Sequence, residues 1–319
     1  MSLWGPLESR YSKKSPRKLL ALDGGGIRGV LTAAVLERLS AAHPSLIRNA
    51  TLLAGTSTGG LIALGLANGM APADLRRLYQ DAGASIFDDS GRFSLGGKLR
   101  SKYSNDNLEQ TVSGVFGNLT LGNLAKEVLV PSFDLDANTD TPARAWKPKF
   151  FTNRVGEGDR AELVADVALR TSAAPSIFPI YQGYIDGGVV ANNPSVAALA
   201  QVMKRSPGQP VVDPTTDVLL LSLGTGTSFR WIDSTDGEWG GASWIQDGRI
   251  LDLMLEGVGD VADFQCRQIL DDRYTRLAPV FPPDVTVDLD DESMIEYLVN
   301  FANTVELETT LAWLTRFAW

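Results

Sequence analysis

Two short apolar runs, Lys18 to Leu22 and Thr51 to Gly55, each end in a glycine-rich turn that leads straight into a helical pattern. That repetition restricts the fold more than any other feature of the chain. The first run meets Asp23-Gly24-Gly25-Gly26, and apolar residues then recur at helical spacing from Val30 to Leu39. The second meets Thr56-Ser57-Thr58 and an Ala/Leu-rich segment from Gly59 to about Asn68. Further apolar runs at Val128 to Phe133, Phe150 to Thr152 and Val218 to Leu223 read as strands, with helical segments at Pro72 to Asp81, Asp166 to Ser172 and Pro194 to Lys204 between them. The alternation predicts an α/β fold of three layers, α/β/α: a mostly parallel sheet flanked by helices on both faces.

Asn193 before Pro194 is a helix start signal, the Asn capping free amides and the proline taking the first helical position. Ser228 to Arg249, rich in Gly, Trp, Asp and Ser without periodicity, reads as a long surface loop or lid. Leu251 to Trp319 reads as mainly helical. With no internal repeat or linker, the expected organisation is a tail over residues 1–17 and one domain over 18–319, its core about 18–230 and its helical C-terminal portion about 250–319.

The 319 residues are 44% hydrophobic and 21% charged, ordinary values for a globular chain, and the net charge of −9 argues against nucleic acid as a partner. A basic stretch from Arg10 to Lys18 is the local exception and reads as a solvated tail. A single cysteine, Cys266, excludes an intrachain disulfide, and with no apolar export signal near the N-terminus the expected location is the cytoplasm. Leu52 to Met70 is free of charge, yet its glycines and its Thr-Ser-Thr centre suit a buried turn and helix rather than a membrane span.

Gly55-Thr56-Ser57-Thr58-Gly59 is a G-x-S-x-G between a strand and a helix, the context of a nucleophile elbow. Gly55 and Gly59 let the chain fold back and leave the Ser57 hydroxyl at the positive end of the following helix. The alternative is a glycine-rich connection carrying an idle serine. The lone histidine, His43, stands near the far end of the helix that starts near Gly29. It lies on the order of 20 Å from the glycine loop at ~1.5 Å per residue, which excludes it as the base; its expected place is a helix end, interacting with the last carbonyls. Asp186, closing a short strand from Tyr181 to Ile185 and followed by Gly187-Gly188, is then the natural candidate for the base, although most Asp-Gly pairs are only turns.

Gly24, Gly25 and Gly26 expose successive amides at a helix N-terminus, an anion cradle suited to a phosphate or an oxyanion, to which Arg28 adds charge. Gly24, Gly26 and Gly29 also satisfy G-x-G-x-x-G, but Ser45 to Gly55 holds none of the acidic residues that a dinucleotide fold places there to bind ribose. No EF-hand loop, H-E-x-x-H or Cys/His cluster is present, so no metal and no cofactor is expected.

Together, Asp-Gly-Gly-Gly-Ile-Arg-Gly at 23 to 29, Gly-Thr-Ser-Thr-Gly-Gly at 55 to 60 and Asp-Gly-Gly at 186 to 188 closely resemble the patatin-like phospholipases. Ile86-Phe87, Ser172-Ala173-Ala174-Pro175, Phe178-Pro179 and the run LLLSLGTGT at 219–227 extend the resemblance over roughly residues 18 to 230. The resemblance implies a lipid acyl hydrolase that cleaves fatty acyl esters of phospholipids without a metal. It implies Ser57 as nucleophile, Asp186 as base, and Gly24, Gly25, Gly26 and Arg28 as the oxyanion hole. Two alternatives stay open beside it: a binding or storage protein with incidental esterase activity, and a phospholipase effector switched on by a cyclic nucleotide in bacterial defence. A transient membrane contact is the expected partner interaction. Trp231, Trp239 and Trp244, or Leu311 to Trp319 with Trp313 and Phe317, are its candidate sites, with packing as the ordinary alternative for each. None of these motifs fixes an oligomeric state.

Overall fold

The computed structural model describes residues 16–87, 101–137, 141–204, 212–233, 235, 237–245 and 248–319. Strand β1 (Arg17–Leu22) lies at the centre of the sheet, with β2 (Leu52–Gly55) on one side and β6 (Val218–Leu223) on the other, both parallel to it. β3 (Glu127–Ala137) continues the parallel order beside β2, and β7 (Tyr274–Leu277) continues it beside β6. The exceptions are β4 (Ala145–Thr152) and β5 (Tyr184–Asp186), which both pair antiparallel with β3. The sheet is therefore mostly parallel.

Side chains alternate across a strand, and both faces of this one are covered. Leu20, Leu22 and Leu53 share one core with Val30, Leu31 and Leu36 of α1 (Gly29–Ala42), Ile62 of α2 (Thr58–Ala67) and Val167 of α5 (Val164–Ser172). Leu19, Ala21, Leu52 and Ala54 share the other with Leu199 and Val202 of α6 (Ser195–Met203) and Cys266 and Leu270 of α7 (Arg249–Leu270). The expected α/β/α layering is thus observed. Leu19, Leu20 and Leu22 are completely buried, each such burial contributing about 1.5–3 kcal/mol against an exposed side chain. On the first face α3 (Pro72–Ile86) and α8 (Ile295–Thr304) pack on α1, α4 (Asp106–Phe116) packs on α5 and α3, and α9 (Glu308–Arg316) closes the described chain.

Several boundaries move. The strand expected at Tyr181 to Ile185 is shorter, because Gln182 at φ 49° and Gly183 at φ 83° turn the chain back and pair Tyr181 with Tyr184. Asn193 does supply a side-chain oxygen to the Ser195 amide at 3.0 Å, but regular helix begins at Ser195, after Pro194. The aperiodic stretch after Ser228 contains a five-residue helix, Gly241–Ile245. The C-terminal portion is not all helix: Tyr274–Leu277 completes the sheet as β7, a strand too short to show its own periodicity. His43 follows α1 as expected, yet its ring meets the Ser45 hydroxyl at 3.2 Å rather than the last carbonyls of the helix.

Trp313 and Trp319 are buried, and their indole N–H groups donate to the carbonyls of Asp272 at 2.7 Å and Leu46 at 2.9 Å. The terminal aromatic segment therefore packs on the core. Leu52 to Met70 divides into β2 and α2, and no helix among the described residues is long and apolar enough to cross a membrane. The basic stretch Arg10 to Lys18 and the tail over 1–17 lie outside the described residues except for Pro16, Arg17 and Lys18.

Candidate active site

Ser57 stands where β2 gives way to α2, with φ 53° and ψ −124°, a conformation that costs a non-glycine residue on the order of 1–3 kcal/mol. The flanking glycines make this turn possible. A Cβ on Gly59 would lie 2.2 Å from the Leu22 carbonyl oxygen, and one on Gly55 would lie 2.0 Å from that of Gly59, so only bare backbone lets α2 approach β1 this closely. The Ser57 amide donates to the Thr171 hydroxyl at 2.9 Å, which itself donates to the Pro131 carbonyl at 2.5 Å. The strained turn is thereby fastened to α5 and β3.

Asp186 ends β5, where its amide donates to the Ala173 carbonyl at 2.9 Å, and its side chain is buried. Burial pushes its carboxyl up to about 6. Two interactions oppose that rise: the side-chain hydrogen bond with Ser57 and the Gly188 N–H, which donates to Oδ1 at 2.7 Å. A carboxylate in this state is ionised at neutral pH and still basic enough to receive a proton from a hydroxyl.

The glycine loop is held from several sides. The Gly24 amide donates to the Asn192 carbonyl at 3.0 Å, so it is committed to the protein. The Gly24 carbonyl accepts from the Thr225 hydroxyl at 3.0 Å, and the Gly25 carbonyl accepts from the Arg28 amide at 3.1 Å and its Nε at 3.4 Å. In a planar trans peptide the N–H points opposite to the preceding carbonyl. The amides of Gly25 and Gly26 therefore turn away from Thr225 and Arg28, and neither has a protein acceptor among the described residues.

The Arg28 guanidinium also donates through Nη1 to the Gly226 carbonyl at 3.2 Å. It thereby braces two loops while lining the same cavity as the glycine cradle. Burial and the neighbouring Arg230 charge hold its pKa below the usual value. Asp23, next to the loop, pairs with Arg276 of β7 at 2.6 Å, and Arg276 also donates to Ser222 at 2.7 Å. Burial raises the Asp23 pKa, with Arg276 the main opposing influence.

Ser57, Asp186, Gly24, Gly25, Gly26 and Arg28 all line one cavity of about 810 Å³ counting its open mouth. The rest of its wall is largely apolar, including Leu61, Ile86, Phe87, Phe178 and, from α7, Leu251 and Leu255. Gly55 and Gly59 shape the turn from behind, and among the described residues neither His43 nor any tryptophan lines the cavity. Trp239 and Trp244 pack together at 5.2 Å, whereas Trp231 is 83% exposed. Thr171, Asn192, Thr225 and Arg276 are the supporting residues that motif reading passes over; of these only Thr225 falls within a quoted run, LGTGT.

A family model described as Patatin-like phospholipase matches residues 20–199. The chain is 32% identical to the cGAMP-activated phospholipase of Pseudomonas aeruginosa, over 85% of this chain and 80% of that one. It is 29% identical to the putative sporulation hydrolase CotR of Bacillus subtilis, over 91% of this chain and 95% of the relative. Among solved structures, VipD from Legionella pneumophila aligns over 91% of this chain and 67% of its own, with 13% identity and a TM-score of 0.44.

Proposed function

Because the chain belongs to the patatin-like phospholipase family, we propose that it hydrolyses fatty acyl esters of phospholipids through a Ser57–Asp186 dyad. The observation that carries this reading is the placement of a strained Ser57 beside a buried Asp186 titrating at about 6, in one apolar cavity with the unengaged amides of Gly25 and Gly26. Ser57 Oγ attacks the acyl carbonyl carbon while its proton passes to Asp186. The carbonyl oxygen takes up negative charge, which the Gly25 and Gly26 N–H groups stabilise. Collapse expels the lysolipid oxygen, which takes the proton from Asp186, and leaves Ser57 acylated. Water then attacks the acyl carbon, giving one proton to Asp186; the fatty acid leaves and the proton returns to Ser57 Oγ. No step needs a metal or cofactor.

The reading places the enzyme in the cytoplasm, meeting membranes from that side. Exposed Phe229, Trp231 and Ile232 supply a contact with the lipid headgroup region, where tryptophan is favoured. Replacing all three by Ser lowers the fraction sedimenting with phospholipid vesicles; an unchanged fraction removes the contact.

The test of the reaction is fatty acid release from phospholipid vesicles by the protein and by Ser57→Ala, read by mass spectrometry. Release by the wild type alone supports the dyad, and equal release by both removes Ser57 as nucleophile. The likeness to a cGAMP-activated phospholipase favours a second reading, an effector that is silent until a cyclic dinucleotide binds. Release that appears only when cGAMP is added selects it. Absence of release under either condition selects a binding or storage role.

A further inference from the structure

A second cavity of about 460 Å³ lies between α2, α3 and α4, behind the wall of the one that holds Ser57. The two share Leu61, Tyr79, Ile86 and Leu108, so these four side chains form the partition between them. Leu61 follows Ser57 by one helical turn, its amide donating to the Ser57 carbonyl at 3.0 Å. Ser57 and Leu61 both line the first cavity, so the partition shares a wall with the nucleophile.

The wall of the second cavity is almost wholly apolar. Beyond the partition it is walled by residues such as Leu75, Val112, Val115 and Phe116. Its hydroxyl groups are already engaged: Thr111 donates to the Asn107 carbonyl at 2.8 Å, and Tyr79 donates to the Thr58 carbonyl at 3.1 Å while meeting the Thr58 hydroxyl. A headgroup finds no partner there, and a space lined in this way attracts an apolar ligand rather than water.

Resting on the esterase reading above, we propose that this chamber receives the distal part of the acyl chain and that Val112 and Phe116 set how long a chain the enzyme accepts. An acyl group bonded to Ser57 Oγ directs its first carbons along the apolar wall of the first cavity. The tail then passes between the partition side chains into the second. Each methylene that enters contributes about fourfold to kcat/KM until the chamber is full.

The test measures kcat/KM for p-nitrophenyl esters of increasing chain length with the full-length protein, Val112→Phe, Phe116→Leu and Ser57→Ala. Val112→Phe narrows the chamber and is expected to lower the ratio of palmitate to butyrate turnover at least tenfold. Phe116→Leu widens it and shifts the optimum toward longer chains. Because the two variants act in opposite directions, either one that folds, as judged by circular dichroism, decides the matter. A chain-length profile parallel to the wild type in the folded variants overturns the chamber while leaving the esterase intact. Hydrolysis indifferent to Ser57→Ala overturns the esterase reading itself, and this proposal with it.

Discussion

The Thr225 hydroxyl donates to the Gly24 carbonyl at 3.0 Å, from a side chain 201 residues away in sequence. By fixing that carbonyl it also fixes the direction of the Gly25 N–H, the opposite end of the same peptide group. Thr225→Val keeps the shape and removes the bond. Since deleting one oxyanion donor outright costs about 10²–10³ in kcat, misaligning one is expected to cost roughly 10–100-fold. KM for a soluble ester stays near its wild-type value. Steady-state kinetics check this, and an unchanged kcat shows the loop to be held without Thr225.

The pH dependence follows from Asp186. Burial pushes its carboxyl up to about 6, and as the proposed base it must be ionised, so kcat/KM is expected to fall as pH drops through that value and to level off above it. Asp186→Asn removes the acceptor and the activity. A profile flat between about pH 5 and 8 rules out Asp186 as the base.

Arg276→Met leaves Asp23 buried without its cation. Breaking a buried pair in this way costs about 3–5 kcal/mol at neutral pH. Burial already raises the Asp23 pKa and Arg276 opposes it, so the variant raises it further. A carboxyl whose folded pKa exceeds its unfolded value weakens the fold only where it ionises in the unfolded chain. Wild type and variant share that penalty until the wild-type Asp23 ionises, so the deficit between them grows as pH rises above the raised wild-type value and is small at acid pH, where both hold Asp23 protonated. Urea titrations at pH 3.5 and 7 would measure the difference; equal deficits would contradict the electrostatic origin.

Gly59→Ala tests the elbow itself. The new methyl would lie 2.2 Å from the Leu22 carbonyl oxygen and 2.6 Å from that of Asp23, both backbone atoms of the central strand and its loop. Overpacking ordinarily costs about 1–3 kcal/mol, and backbone neighbours yield less than side chains do, so the upper end or beyond is expected. Thermal melts report it, with a melting point equal to wild type as the contrary result.

How far these features can be read in the sequence depends on the range of the interactions behind them. The elbow at Ser57 and the loop at Gly24 to Gly26 are legible because glycines mark tight turns locally, and the two central strands because burial on both faces leaves apolar runs. Asp186 is reached by eliminating His43 and through the resemblance carried by Asp-Gly-Gly at 186 to 188. Thr171 fastens Ser57 from 114 positions away and Arg276 meets Asp23 across 253, and neither leaves a mark on its local pattern. β7 is hidden for the same reason: four residues acquire strand geometry from the edge of β6.

A carboxylate in place of imidazole changes what happens to charge during the proposed attack. When a neutral base takes a serine proton, a cation and an anion appear together and must be held apart by solvent or fixed dipoles. With Asp186 ionised beforehand, one negative charge exists throughout and only migrates, from the carboxylate to the substrate oxygen. Relocating a charge across a few ångströms requires far less reorganisation of the surroundings than creating an opposed pair. The largely apolar wall around Ser57, inhospitable to an ion pair, is compatible with this chemistry, and the enclosure that suits a lipid tail does not obstruct the reaction at its ester.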